Sequence, residues 1–317
     1  MKRLLKNNKG FALILTILII SLIVVLTLNF NISMRSDLYS SANLKDSIKL
    51  GCIARSGFNY ALAILYEDVL ESDFDSLHED WVYSKAISSN SGAMFEDGRF
   101  EVQIKDHSGR IQINQLTKQK GLMTRFLSSE QFDLDPEKVS SLIDAIKDWI
   151  DLDNEVTGFG AENEYYQGME KPYSCKNAPL ELLEELLLVK GITRDLFYGT
   201  KEKPGISHYL TTHGDGKINI NTADPLVLWS LSDQIDQEMV EKMLVYREDK
   251  RNNLKDAKWY QKIPDMSQVT IDPDLVTTSS AHFEIKSEGF KEAMVKLVTG
   301  MVERSKDTLR ILSWKIE

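Results

Sequence analysis

The chain has 317 residues, 42% of them hydrophobic and 27% charged, with 48 acidic against 38 basic side chains and a formal net charge of −10. That balance argues against a broad basic face for nucleic acid or anionic lipid. Two cysteines far apart, with no Cys/His cluster, argue against a zinc site. Beyond an N-terminal segment, the length leaves room for roughly two modest domains.

Residues 6–30 read KNNKGFALILTILIISLIVVLTLNF. The 18-residue run Phe11 to Leu28 carries no charge, only Thr16, Ser21 and Thr27 as polar interruptions. As a helix rising about 1.5 Å per residue it covers roughly 27 Å, enough for the hydrocarbon core of a bilayer. Lys2, Arg3, Lys6 and Lys9 precede it with no acid among them, so the positive-inside rule keeps this end in the cytoplasm and sends the rest across. No small-residue cleavage site follows the run, unlike a secretory signal; a cut, if made, falls before it, at Gly10–Phe11. A plain signal-anchor helix would account for the apolar run alone. The basic leader ending in glycine, with Phe next, resembles the leaders of type IV prepilins and type II secretion pseudopilins. In those families a membrane aspartyl protease cuts after the glycine and the new N-terminus is methylated. Loss of residues 1–10 would take four positive charges away and move the net charge from −10 to −14.

From Asn31 to about Leu70 a helical pattern continues, with Ile48, Cys52, Ala61, Leu62 and Leu65 as its apolar stripe and Gly51 and Gly57 as expected bends. Residues 71–95 are polar and irregular. Phe100–Lys105 and Arg110–Asn114 alternate as two short strands about a Ser-Gly turn. Residues 115–200 read as helices. DPEKVSSLIDAIKDWID opens on Asp-Pro and puts Val139, Leu142, Ile143, Ile146 and Ile150 on one face. APLELLEELLLVKGI reads as a second helix, begun near Pro179 and ended by Gly191. GKININ (216–221) reads as a strand, TADPLVLWSL and QEMVEKMLVYRED as helices, and the segment from His282 onward as two or three strands. SGRIQINQL (108–116) and DGKININTA (215–223) share G-[RK]-I-x-I-N, a faint internal echo.

Blocks of this sequence carry a family resemblance: GKININTADPLVLWSL, DWIDLDNEVTGFGAENEYY and PYSCKNAPLELLEELLLVKGI. Together with the leader they resemble the K-type minor pseudopilins of the type II secretion system. That family shows G-x-I-N-x-N-T-A, D-W-x-D-x-D, G-A-E-x-x-Y-Y, P-Y-x-x-x-N-x-P and L-x-E-L-x-x-V-x-G. Only the order departs, because the I-N-x-N-T-A block comes last here. Position 15 is Leu, where most pilins carry a glutamate that pairs with a neighbour's N-terminal amine; K-type members lack that acid.

The resemblance implies an α+β fold: a long N-terminal helix packed on an antiparallel sheet, with a large inserted α-helical domain. The implied division is 1–10 leader peptide, 11–30 membrane helix, 31–114 spine helix and first strands, 115–215 inserted helical domain, and 216–317 helices and closing strands. It also implies a non-enzymatic subunit, single-pass in the inner membrane with its body in the periplasm, at the tip of a fibre that helps export folded proteins. Its partners would be prepilin peptidase, I- and J-type minor pseudopilins, and secreted cargo or the secretin.

Two further features bear on chemistry. The loop DWIDLDNEVTGFGAENEYY holds Asp148, Asp151, Asp153, Glu155, Glu162 and Glu164 within 17 residues. Spaced carboxylates of this kind supply oxygen ligands for a hard cation such as calcium, with Gly158 and Gly160 letting the chain fold back; a solvated acidic face is the plainer reading. The family's helical domain binds calcium, and this resemblance favours a calcium site with Asp151, Asp153 and Glu162 foremost and Glu155 and Glu164 beside them. Cys52 and Cys175 are candidates for a disulfide across an oxidising compartment. His78, His107, His208, His213 and His282 are scattered, Asp144 and Asp148 read as a helix surface, and Trp149, Trp229, Trp259 and Trp314 read as core. A rival reading is a minor pilin of a type IV pilus or competence fibre, in which INTADPLVLWSL and ELLLVKGI act as helix-hairpin-helix pieces on DNA. The single glycine of LVKGIT and the acidic balance oppose nucleic acid.

Overall fold

The computed structural model describes residues 8–317, with side chains from Gly10 onward; Lys2, Arg3 and Lys6 of the leader lie outside the described residues. In chain order the elements are α1 (Asn8–Glu71), α2 (Ser84–Ser88), β1 (Arg99–Asp106), β2 (Ile111–Gln112), α3 (Lys120–Leu127), α4 (Pro136–Ile150), α5 (Asn163–Gln167), α6 (Arg194–Tyr198), β3 (Leu210–Thr211), β4 (Ile218–Asn219), α7 (Pro225–Ser230), α8 (Gln237–Glu248), β5 (Val276–Thr277), β6 (His282–Lys291), β7 (Met294–Arg304) and β8 (Leu309–Ile316). Of the described helices, α1 is the one long and apolar enough to cross a membrane.

The second half of α1 packs on an antiparallel sheet ordered β1-β6-β7-β8. Leu50, Ile53, Ala54, Phe58, Ala61 and Leu65 meet Phe100, Val102, Phe283, Ile285, Val298 and Val302 in one core. The buried stripe keeps Ala61 and Leu65 of the expected one, with Leu62 half-buried, but Ile48 and Cys52 are exposed. α1 runs unbroken through Gly51 and Gly57. A Cβ on Gly57 would strike Ser287 and Phe100, so this glycine serves the close approach of helix and sheet. The outer edge of β1 is closed by hydroxyls. Ser91, Ser88 and Ser84 accept from the N–H groups of Phe100 (2.9 Å), Val102 (2.9 Å) and Ile104 (3.2 Å), which blunts an edge that would otherwise recruit another strand.

A second core holds the helical body, running from Ile111 to Val276. It is an insertion between β1 and β6, so the helical domain extends well past the expected boundary at 215, and 216–281 belongs to it rather than to the sheet. The expected hairpin of 100–105 with 110–114 does not form. β1 pairs with β6, Asp106 opposite Phe283, whereas Ile111 pairs in parallel with Leu210 and Ile218 in parallel with Val276. APLELLEELLLVKGI yields only a 3₁₀ turn at Leu183–Leu188; Gly191 turns the chain at φ +84° against Leu142. Trp149 and Trp259 are core residues, but Trp314 is 48% exposed, with Arg55 stacked on its ring.

The sequence echo is also an echo in hydrogen bonds. Asn114 N–H donates to Gln112 Oε1 (2.6 Å) and Asn221 N–H to Asn219 Oδ1 (3.0 Å); Ile111 N–H donates to the Tyr209 carbonyl (2.9 Å) and Ile218 N–H to that of Leu275 (2.8 Å). Asp224 caps α7, accepting from Leu226 N–H at 3.0 Å.

The two bodies are joined by a buried polar network. Arg304, at the end of β7, pairs with Asp68 in the last turn of α1 and with Asp75. Ser280 donates through its hydroxyl to Asp106 (2.7 Å) and through its N–H to Asp75 (2.6 Å). Asn219 and Asn221 donate to the Asp75 carbonyl at 3.2 and 3.0 Å. The helical body thus stands at the end of the sheet where α1 terminates, opposite the apolar half of that helix.

Candidate cation site in the helical body

α4 starts on its own signals. Asp135 accepts the Lys138 N–H (2.8 Å), and Pro136 fills the first turn. Its apolar face, Val139, Leu142, Ile143, Ile146, Trp149 and Ile150, is buried. Asp144 and Asp148 are buried as well, at 7% and 0% exposure, so they are not a solvated helix surface. Both clamp the returning loop: Asp144 Oδ2 accepts the Phe159 N–H at 3.2 Å, and both Asp148 oxygens accept that of Thr157 at 3.1 Å. Lys147 Nζ adds a bond to Thr157 Oγ1 (2.8 Å). Gly158 takes φ +51°, and a Cβ on Gly160 would overlap the Asp148 carboxylate. The two glycines let the chain fold back over these carboxylates.

This fold-back brings Asp151, Asp153 and Glu162 together, with one carboxylate oxygen of each lying within 4.8 Å of the others. Glu162 is 2% exposed and neither of its oxygens has a hydrogen-bond partner; Asp151 Oδ1 and Asn177 Oδ1 are buried and unpartnered too. Glu155 and Glu164 are exposed and outside the cluster; Glu155 contributes only its N–H, to Asp153 Oδ1 at 2.8 Å. Asn177 had no signal in the sequence. It sits at φ +45° and donates its side-chain amide to the Asp153 carbonyl and to Asn154 Oδ1 (3.2 Å), which ties the irregular segment after α5 to the acidic loop and leaves its oxygen buried and unpartnered.

Burial above all, and then the charge of Asp153, holds the Asp151 carboxyl above its ordinary range. Burial, then Asp148 and Asp151, does the same to Glu162. The only cation paired with the cluster among the described residues is Lys147, 3.8 Å from Asp151. Unpartnered carboxylate oxygens, mutually repelling and partly desolvated, are a donor set that a hard divalent cation satisfies. Cys175 lies nearby, its thiol pushed up to about 11, chiefly by burial, and it donates to the Asp148 carbonyl at 3.6 Å; a thiol so held is no soft-metal ligand.

Cys52 and Cys175 are both free. The candidate disulfide does not form, because Cys52 sits exposed on α1 and Cys175 is half-buried against the core of the helical body. Three of the scattered histidines converge: His107, His213 and His282 line a cleft of about 450 Å³ between the two bodies, the last two with rings stacked at 5.9 Å. Burial lowers the His107 pKa to about 2 and keeps it neutral.

Residues 106–199, which contain α3, α4 and the acidic loop, match the family described as Type II secretion system (T2SS), protein K. The chain is 23% identical over 312 residues to the type II secretion system protein K of Aeromonas hydrophila, covering 92% of this chain and 89% of that one. It is 25% identical over 236 residues to that of Klebsiella pneumoniae, covering 69% and 68%. Its fold is similar to a chain in the crystal structure of the GspK-GspI-GspJ complex from the enterotoxigenic Escherichia coli type 2 secretion system, with a TM-score of 0.69 at 15% identity over 87% of this chain and 99% of that one.

Proposed function

We propose that the chain is a member of the type II secretion protein K family and is the minor pseudopilin at the tip of a periplasmic fibre that moves folded proteins across the outer membrane. The observation that carries this reading is the reach of the similarity, which runs through 92% of the chain. The architecture supports the tip position. α1 offers an apolar half for a membrane and a fibre core, while the inserted helical body caps the other end of the subunit, where a further subunit would have to stack. Leu15 in place of an acid agrees, because a subunit with no carboxylate there needs no partner amine inside the apolar bundle.

The partners under this reading are I- and J-type minor pseudopilins. Prepilin peptidase removes residues 1–10, Phe11 becomes the N-terminus, α1 spans the inner membrane once, and the body lies in the periplasm. A calcium ion is held by Asp151, Asp153 and Glu162 with Asn177, and it neutralises the carboxylates and orders the loop.

The test is deletion and complementation in the source organism. Loss of the chain should abolish release of secreted enzymes, and affinity purification of the tagged chain should recover the I- and J-type subunits. Normal secretion in the deletion strain would overturn the reading.

A further inference from the structure

The helical body carries a groove that the secretion reading does not use. The turn Ser128–Gln131 after α3 faces α7 and α8 across a cavity of about 1050 Å³. Its floor is apolar, built on Leu226, Trp229, Val240 and Leu244, and its walls hold Glu130, Asp236, Glu238 and Glu241. No lysine or arginine lines it, whereas each of four other clefts of the described surface carries two basic side chains. Two cations on the helices that form it are engaged elsewhere or with its wall: Arg125 stacks on Trp229 at 4.8 Å and pairs with Asp233 at 2.7 Å, and Lys242 bridges Glu238 (2.9 Å) and Asp265 (3.3 Å). Ser129, only 7% exposed, lines the same cavity with an unpartnered hydroxyl.

We propose that this groove docks a basic, amphipathic helix of a partner protein. A helix is about 10–12 Å across with its side chains, and residues spaced i, i+3, i+4 would seat apolar anchors on Trp229 and Leu244. Lysines or arginines flanking those anchors would meet the four carboxylates. Such pairing chooses the partner and speeds encounter more than it adds affinity. An acidic helix is rejected by the same walls, and a wholly apolar one leaves Glu130, Asp236 and Glu241, which pair with no cation among the described residues, without one. The groove lies on the body opposite the apolar half of α1, so membrane insertion leaves it open.

The test uses the full chain in its native membrane, with a photo-crosslinking phenylalanine analogue at Gln237, an exposed residue of the groove, and at exposed Lys250 as a position off the groove. We expect an adduct at Gln237 whose mapped segment has excess Lys or Arg and a helical apolar repeat. Glu238→Lys with Glu241→Lys, both exposed, should lower its yield about tenfold at an unchanged melting temperature, and added salt should lower it too. If that pair melts early, Glu238→Gln with Glu241→Gln replaces it, with a smaller loss expected in the same direction. An adduct to a neutral or acidic segment, to a second copy of this chain or to lipid would overturn the proposal. So would the absence of an adduct, equal yield at Lys250, or a yield indifferent to charge reversal.

Discussion

Glu162→Gln tests the cation site most directly, because its effect should change sign with calcium. The side chain is 2% exposed, both oxygens lack partners, and Asp148 and Asp151 add repulsion. Without a cation the charge is a liability, so the variant in chelator should melt no lower than the wild type. With calcium at a hundredfold excess over Kd, the wild type gains about 2.7 kcal/mol. For a body of 150–250 residues each kcal/mol is about 2–4 °C, so the rise is roughly 5–11 °C. Glutamine keeps one carbonyl oxygen and loses the charge. A ten- to hundredfold weaker site would retain about 0.4–1.4 kcal/mol of that gain, or roughly 1–6 °C. The two proteins should therefore exchange rank between chelator and millimolar calcium. Scanning calorimetry of the detergent-solubilised full chain measures this, with elemental analysis for bound calcium and a magnesium arm expected to give the smaller shift. Identical wild-type melting with and without calcium, or a full calcium response in Glu162→Gln, would refute the reasoning.

Three other substitutions probe the rest of the molecule. Gly10→Val should block removal of the leader, read by intact mass. Nothing lies within 4 Å of a Cβ at Gly10, so misfolding is not the cause, and a mature N-terminus beyond residue 25 would rule out the prepilin processing. Arg304→Met leaves Asp68 and Asp75 buried without their cation and should cost about 3–5 kcal/mol in urea unfolding; adding Asp68→Asn and Asp75→Asn should recover most of it. A loss below about 1 kcal/mol would show that the pair is solvated. The Glu79 carboxyl is raised to about 7, chiefly by burial. A folded-state pKa above the unfolded one gives stability that is complete below the ordinary carboxylate range and is lost as pH rises through 7. Glu79→Gln should therefore fall less than the wild type between pH 5 and 8 in thermal melts; parallel curves would contradict this. Asp68, raised to about 6 chiefly by burial, keeps part of the slope in both.

Where neighbours in sequence are neighbours in space, residue patterns alone carried the structure. The 18-residue apolar run, the Asp135–Pro136 start and the face of α4, and the alternation of β6 to β8 were all legible. So was the convergence of Asp151, Asp153 and Glu162, because the three lie on one loop. Only tertiary structure decided which stripe of α1 is buried, since a segment rich in Ala, Gly and Ser offers several apolar faces and the sheet selects one. It decided the extent of the helical body too, because two-residue parallel pairs such as Ile218–Val276 are too short to show a period. And it made Asp144 and Asp148 buried clamps rather than surface acids, and Asn177 a candidate ligand. A carboxylate's environment is set by the N–H groups that reach it, and here those of Thr157 and Phe159 come from a loop that must first fold back over α4.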